Sequence, residues 1–340
     1  RTVSVVDTAA PVVTIDGGVS ALGGECGVAL ALPGATAADV CDGALTASVS
    51  DYDGLNEAAP AAGVYDVVYS ATDGEGNTGA ATLTVTVDDT TAPVVTIGGG
   101  ISTLSGECGT GLALPGATAT DTCEGPLAAL VTDDDGLNTA APASGVYDVV
   151  YSATDAEGNT GTATLTVTIE DTLAPVVTID GGVSALSGEC GVALVLPGAT
   201  AADDCDGAPA ASVSDYDGLN PAAPAAGVYD VVYAAADAAG NTGTATLTVT
   251  VDDTASPVVT IDGGVSTLSG ECGVALTLPG ASAADDCDGA PVASVSDYDS
   301  LNPAAPAVGV YDVVYAASDA EGNTGTAVLT VTVDDTAAPV

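Results

Sequence analysis

Histidine, lysine, methionine, tryptophan and phenylalanine are absent from this chain, and Arg1 is its one basic side chain. Without histidine, the mixed cysteine–histidine sites that hold zinc cannot form, and no Cys-x-x-Cys occurs to replace them. Without lysine there are no lysine–asparagine isopeptide cross-links. One basic residue against 47 acidic ones, a net charge of -46, excludes nucleic acid and anionic membrane as partners, since both are bound through basic groups. No apolar run approaches the roughly 18 residues that span a bilayer, so direct membrane insertion is not expected in this window. Residues 1–30 lack a basic stretch followed by an apolar core, so no signal peptide is read there. No Asn-x-Ser/Thr sequon occurs. Catalysis is not expected: paired carboxylates could hydrolyse glycosides, but that needs one distinctive cleft, and near-identical repeats offer none.

Such charge usually means disorder, but here 47% of the residues are hydrophobic and they alternate with polar ones, which is the pattern of strands. The chain is organised around the stretch Asp88-Asp89-Thr90-Thr91-Ala92-Pro93-Val94-Val95. Pro11, Pro93, Pro175, Pro257 and Pro339 recur at one constant interval, each following an acid: Asp7, Asp89, Asp171, Asp253 and Asp335. A fixed period is the signature of a tandem array. An acidic pair running into a rigid proline, with no Gly/Ser tract, reads as a short, stiff joint. The expected repeats are 9–90, 91–172, 173–254 and 255–336, with 1–8 the end of a preceding repeat and 337–340 the start of a following one. Arg1 to Val12 match Leu329 to Val340 almost residue for residue, so the chain reads as a window on a longer array.

Within the first repeat, Val12 to Ile15 reads as a strand turned by Asp16-Gly17-Gly18, and Val28 to Leu32 as a second. Ala35 to Gly43 reads as a loop, and Leu45 to Val49 as a third strand. Val64 to Ala71 is the strongest strand, with Tyr65, Val67, Tyr69 and Ala71 on one face. The hairpin turn Asp73-Gly74-Glu75-Gly76-Asn77 leads into Thr82 to Val87, with Leu83, Val85 and Val87 inward. Nothing has a helical period. Short alternating strands at even spacing predict an all-β fold: a tandem array of immunoglobulin-like antiparallel β-sandwiches.

The eight cysteines fall as one pair per repeat, always with the spacing of Cys26 and Cys41, which argues for disulfides and an oxidising compartment. Free buried thiols are the alternative. The expected bonds are Cys26–Cys41, Cys108–Cys123, Cys190–Cys205 and Cys272–Cys287. Each would close a loop of about 15 residues and stabilise its repeat by roughly 3 kcal/mol. A repeat this small with no Phe or Trp buries limited apolar area and needs such staples.

Gly24-Glu25-Cys26, then Leu32-Pro33-Gly34-Ala35-Thr36-Ala37-Ala38-Asp39-Val40-Cys41, then Gly63 through Asn77, then Val85-Thr86-Val87, together resemble the hyalin repeat. They also resemble the related bacterial immunoglobulin-like domains of large surface proteins. The resemblance covers every repeat. It implies an immunoglobulin-like sandwich, extracellular display, adhesion or spacer roles, and often calcium. It also implies that the cysteines matching Cys26 and Cys41 pair with each other. A second cysteine pair common in that family, tying first and last strands, has no counterpart here.

In such a sandwich the chain enters at one end and leaves at the other. Stacking repeats brings the trailing acids of one beside the leading acids of the next. One such set is Asp88 and Asp89 with Asp121, Asp155, Glu157 and Asn159. The corresponding sets are Asp7 with Asp39, Asp73, Glu75 and Asn77; Asp171 with Asp203, Asp237 and Asn241; and Asp252 and Asp253 with Asp285, Asp319, Glu321 and Asn323. Clustered carboxylates repel unless neutralised, and a set of oxygen ligands suits Ca²⁺. The joint resembles cadherin linkers in kind. Asp51-Tyr52-Asp53-Gly54-Leu55-Asn56 is a weaker second candidate that lacks a distal bidentate glutamate. Two other readings stay open: the acids merely cap turns and keep the array soluble, or they adapt it to a salt-rich habitat.

The leading function is structural: a calcium-braced, disulfide-stapled repeat region of an extracellular filament, adhesin stalk or matrix fibre. Its expected partners are neighbouring copies of the same repeat, with lateral self-association open. The alternative is a module that binds carbohydrate or a surface through its loops, with Tyr52, Tyr216 and Tyr298 available for stacking; Asp134 replaces them in the second repeat.

Overall fold

The computed structural model describes residues 1–337. Of the following repeat expected at 337–340, all but Ala337 lies outside the described residues. The chain forms two compact units, Arg1–Asp171 and Thr172–Val340. Apart from short 3-10 turns, every regular element among the described residues is a strand.

The first unit opens with β1 (Val12–Ile15), β2 (Ala21–Glu25), β3 (Ala35–Asp39), β4 (Gly43–Thr46), β5 (Ser48–Asp51), β6 (Gly63–Thr72) and β7 (Thr78–Asp88). One sheet has the order β1-β3-β4 and the other β2-β7-β6-β5. All pairings are antiparallel except β2 with β7, which run parallel with Leu22 opposite Val85. The long hairpin β6–β7 supplies most of the core: Val67, Tyr69, Leu83, Val85 and Val87 are buried, with Ile15 of β1 and Leu55 packed against them. Polar residues at alternate positions face outward because side chains in a strand alternate between its two faces. The buried Tyr69 hydroxyl donates to the Pro33 carbonyl at 2.7 Å, which satisfies its polar end. Burial pushes the Tyr69 phenol above its usual range.

The pattern recurs along the chain. β8 (Val94–Ile97), β9 (Thr103–Glu107), β10 (Ala117–Asp121), β11 (Gly125–Asp133), β12 (Gly145–Thr154) and β13 (Thr160–Glu170) complete the first unit. Here β11 runs unbroken where the first repeat is interrupted at Ala47, so one ribbon of order β8-β10-β11-β12-β13-β9 makes both layers. The second unit contains β14 (Val176–Ile179), β15 (Ala185–Glu189), β16 (Ala199–Ala202), β17 (Ser212–Asp215), β18 (Gly227–Ala236) and β19 (Thr242–Asp252). These are followed by β20 (Val258–Ile261), β21 (Thr267–Glu271), β22 (Ala281–Ala284), β23 (Ser294–Asp297), β24 (Gly309–Ser318) and β25 (Thr324–Asp334). The counterpart of β4 shrinks here to single bridges, Asp203 with Gly207 and Asp285 with Gly289. Pro209 and Pro291 stand where the first repeat has Leu45, and proline brings no backbone donor to a ladder.

The fold class is the expected one, but three local expectations fail: the expected strand from Leu45 to Val49 is broken at Ala47 into β4 and β5, which lie in different sheets. Val28 to Leu32 is not a strand. Gly27 and Leu30 donate instead to the carbonyls of Pro60 and Glu57, isolated bonds that build no ladder. Leu30 and Leu32 still face the core, so the alternation reported burial and not backbone pairing. Conversely, the expected loop at Ala35–Gly43 contains β3, held by its pairing with β1 despite weak strand formers. The Gly-rich strand β2 gave no signal for the same reason.

One glycine per repeat has no substitute. A Cβ on Gly79 would lie 1.7 Å from the Pro11 carbonyl oxygen, and Gly161, Gly243 and Gly325 meet Pro93, Pro175 and Pro257 at the same distance. The backbone entering each sandwich crosses the last strand here. Gly161→Ala should therefore destabilise the protein by about 1–3 kcal/mol or more, because backbone must move. Gly116→Ala, with nothing within 4 Å, should be neutral; chemical denaturation of both variants checks this. In the fourth repeat Ser300 sits at φ 67 where Gly54, Gly136 and Gly218 occupy the same left-handed region. Ser300→Gly should stabilise by roughly 1 kcal/mol in the same assay.

Candidate cation site at the repeat joints

The first joint is built by three segments. β7 ends at Asp88, and Asp89-Thr90-Thr91-Ala92 leads into the buried Pro93. Because β2 runs parallel to β7, its last residue, Glu25, ends beside the departing chain. Its carboxylate accepts from Thr90 N, Thr90 Oγ1 and Thr91 Oγ1, each at 2.8 Å. These bonds, the Thr90 amide first, hold the Glu25 carboxyl below its usual range. Glu189 grips Thr254 and Ala255 likewise, and Glu271 grips Thr336 and Ala337. Sequence reasoning missed these clamps. Their signal was a Glu directly before the first cysteine of every repeat, matched with a Thr just after the joint acid.

Three buried acids meet at this joint. Asp89 is 6% exposed; its Oδ1 accepts from Thr91 N at 3.2 Å, and its Oδ2 has no hydrogen-bond partner. Asp121 closes β10; its Oδ1 accepts from Cys123 N and Glu124 N, and its Oδ2 is likewise buried and unpartnered. Asp155 opens the β12–β13 hairpin and accepts from Asn159 N at 2.7 Å and Asn159 Nδ2 at 2.8 Å. That same Nδ2 donates to the Asp89 carbonyl at 3.1 Å, strapping the hairpin to the incoming chain. Ligating atoms of Asp89, Asp121 and Cys123 lie within 4.8 Å of one another, as do those of Asp253, Asp285 and Cys287. Both sulfurs are in disulfides, so the oxygens alone could hold a metal. At the second unit's joint both oxygens of Asp253 and Oδ2 of Asp319 are buried without partners.

Desolvation, and then the charges of Asp121, Asp155 and Glu25, push Asp89 above the usual carboxylate range. Desolvation, with Asp285, Asp319 and Glu321, does the same to Asp253. Asp155 and Asp319 go the other way. Burial raises them, but bonds from the asparagine that closes each hairpin turn and from the loop amides more than offset it. The acids at one joint are thus driven apart in proton affinity.

Other sequence candidates fall out as follows. Asp7 lies within 4.8 Å of Asp39 and Cys41 and, in a second grouping, of Asp73 and Glu75, while Asn77 donates to Asp73 and the Asp7 carbonyl. Asp88 and Asp252 are exposed; only their carbonyls take part, accepting from Cys26 N and Cys190 N. Glu157 and Glu321 are exposed at the rim. Asp171 closes the first unit. In the second, Asp203 accepts from Cys205 N and Asp206 N, and Asp237 from Asn241 and Gly240. The 51–56 loop uses its acids on its own backbone: Asp51 accepts from Asp53 N, and Asp53 from Asp66 N.

The cysteine pairing is the main correction. Cys26 bonds to Cys123 and Cys190 to Cys287, with Cα atoms 5.7 and 5.8 Å apart and a sequence separation of 97. The expected Cys26–Cys41, Cys108–Cys123, Cys190–Cys205 and Cys272–Cys287 bonds do not form. β2 carries Cys26 to the trailing end of its sandwich, where its amide meets Asp88. β3, antiparallel to β1, carries Cys41 to the leading end, beside Asp7. Two cysteines of one repeat, close in sequence, therefore sit at opposite ends of one domain. Each bond instead crosses a joint and closes a far longer loop, worth roughly 4.7 kcal/mol at about 100 residues in the chain-entropy model.

The family described as "Bacterial surface protein, Ig-like domain" matches residues 99–169. The chain is an extracellular or surface protein, in keeping with that match and with its disulfides. The hyalin naming rests on the motifs alone. An uncharacterized 81.3 kDa protein of Acholeplasma phage L2 is 38% identical over 102 residues, which is 28% of this chain and 13% of that protein's length. Among solved structures, the protocadherin GammaB4 extracellular domain is 13% identical, with a TM-score of 0.33 over 97% of this chain and 68% of that one. Drosophila N-cadherin EC1-4 is 12% identical, with a TM-score of 0.28 over 98% and 94%. Likeness at this level carries no argument about function. Among the described residues no helix is long and apolar enough to cross a membrane.

The clamp makes a prediction. Glu189→Ala should raise amide hydrogen exchange at Thr254 and Ala255 several-fold and leave the β18–β19 core unchanged. Bonds to Thr254 lower the Glu189 pKa, so its contribution is present above the unfolded carboxylate value and is lost as pH falls through the folded one. Intact protection in the variant would rule the clamp out.

Proposed function

We propose that this chain is a structural repeat region of an extracellular filament, adhesin stalk or matrix fibre, built from repeats 9–90, 91–172, 173–254 and 255–336. In this reading the joint within each compact unit is braced by a disulfide between its two repeats and by a bound Ca²⁺. The observation that carries the cation is the set of buried, unpartnered carboxylate oxygens on Asp89 and Asp121, repeated on Asp253 and Asp319. A buried anion needs a counter-charge, and a chain with one arginine cannot supply it. Asp89, Asp121 and Asp155 would hold the ion at one joint, and Asp253, Asp285 and Asp319 at the other. Such hard oxygens, completed by carbonyls and water, suit Ca²⁺ with its about 6–8 oxygen ligands better than the tight octahedron of Mg²⁺. The ion would neutralise the seam and remove the repulsion that otherwise opens it. No catalytic role is assigned to any residue.

Calorimetry in calcium and in chelator tests this. Calcium should raise the melting temperature of the wild type, and Asp89→Asn, which keeps the acceptor for Thr91 N, should lose most of that increment. In chelator the sign should reverse. Asp89 has a raised pKa in the fold, so its favourable contribution exists below the unfolded value and is lost as pH rises through the folded one. Asp89→Asn should therefore be as stable as wild type or more so in chelator, and increasingly so as pH rises through that window. Equal melting with and without calcium, over the whole series, would refute the cation.

A further inference from the structure

The two cysteine bonds and the two acid clusters share their anchor points. At the first joint Cys26 N donates to the Asp88 carbonyl at 2.9 Å, one residue before Asp89. Across the seam Cys123 N donates to Asp121 Oδ1 at 2.7 Å, and the other oxygen of Asp121 is the buried one without a partner. The second unit repeats this. Cys190 N donates to the Asp252 carbonyl at 2.9 Å, one residue before Asp253, and Cys287 N to Asp285 Oδ1 at 2.8 Å. We propose that each disulfide is a positioning element of the cation site, so that the affinity of the joint for a divalent cation is set by its thiol–disulfide state. The proposal rests on the calcium reading above and adds its regulation.

Each half of the site is tied to one cysteine. Asp89 belongs to the chain leaving the first repeat, and Asp121 and Asp155 to the second. Besides the backbone, the Cys26–Cys123 bond joins these halves covalently. The Cys123 sulfur stands within 4.8 Å of ligating oxygens of Asp89 and Asp121, and the Cys287 sulfur likewise of Asp253 and Asp285. The halves meet closely beside the bond: a Cβ on Gly27 would lie 2.5 Å from Thr122 Cγ2, and one on Gly191 would lie 2.8 Å from Asp286 Cβ.

Three buried carboxylates at the first seam repel one another. Against that repulsion Asn159 Nδ2 sets a neutral hydrogen bond to the Asp89 carbonyl at 3.1 Å. The oxidised bond holds the acids assembled before the ion arrives, so assembling them no longer counts against binding. In the reduced joint the acids move apart, and the ion must first draw the halves together. Linkage makes the relation reciprocal: an ion that prefers the oxidised joint favours the disulfide by the same factor. Reduction balances as thiol exchange. Two glutathione thiols become one glutathione disulfide, and two electrons and two protons pass to Cys26 and Cys123. Oxidation and the cation thus lock the joint together, and a reducing environment releases both.

The test is a redox titration of the full chain in glutathione buffers of graded ratio at constant ionic strength, once with calcium and once with chelator. Alkylation and peptide mass mapping read each bond separately. Calcium should move half-reduction of Cys26–Cys123 and of Cys190–Cys287 to a more reducing buffer, by roughly 5–150-fold in the reduction equilibrium constant. Calorimetric titration should find calcium bound more weakly, by the same factor, after reduction. Asp89→Asn should abolish the shift for Cys26–Cys123 and leave that for Cys190–Cys287 in place, a local signature that a merely stabilising disulfide would not show. Amide hydrogen exchange in the β6–β7 core should stay protected on reduction; its loss would mean that the bond holds the domain and not the site, and would overturn the proposal. Equal half-reduction in calcium and in chelator, or a shift that survives in Asp89→Asn, overturns it as well. The calcium reading fails separately if the oxidised chain binds no calcium, whereas equal binding in both redox states sinks the coupling alone.

Discussion

In every repeat the second strand runs beside the last one in the same direction, and the composition of the joint follows from that pairing. β2 parallel to β7 brings Glu25 and Cys26 to the trailing end, next to Asp88, Asp89 and the departing linker. Were β2 antiparallel there, the cysteine would lie at the leading end and bond within its own domain. The acid would have no linker to hold. One sheet-edge decision thus places a clamp and a covalent cross-link at the same seam.

The seam is also where the electrostatics concentrate. Asp89, Asp121 and Asp155 are buried together in a chain that has almost no cationic side chains. Hydrogen bonds from Asn159 and the loop amides satisfy Asp155, but one oxygen each of Asp89 and Asp121 has no donor. Two outcomes relieve such a cluster: a proton on the most raised acid, or an external cation. The disulfide sets a limit on how far the seam can open while either is missing, since Cys123 lies just beyond Asp121.

Much of this was legible from residues. The hairpin from Val64 to Val87 carried its own evidence, because strict alternation of Val, Tyr and Leu with polar residues has one reading. Burial of Val67, Leu83 and Val85 follows from it. The acids Asp7, Asp89 and Asp253 were identifiable from their fixed place before a proline. Harder to see were β2 and β3, which are made largely of small residues and exist only through their partners. Glu25 was overlooked for a related reason: its hydrogen-bond partner, Thr90, is remote in sequence. Asn159 was identified as a site residue, but it acts through its amide NH₂ as a strap on Asp89 and Asp155.

The sequence by itself determined the period, the all-β class, the inward faces of the long strands and the acidic character of the joint. Those follow from local alternation and from repetition, which need no knowledge of what lies nearby in space. Only the tertiary structure decided which cysteine meets which. Sequence spacing measures distance along the chain, and it is strand direction that sends Cys26 and Cys41 to opposite ends of a sandwich. The same holds for the buried oxygens, whose isolation depends on how one domain's last acid sits against the next domain's loops.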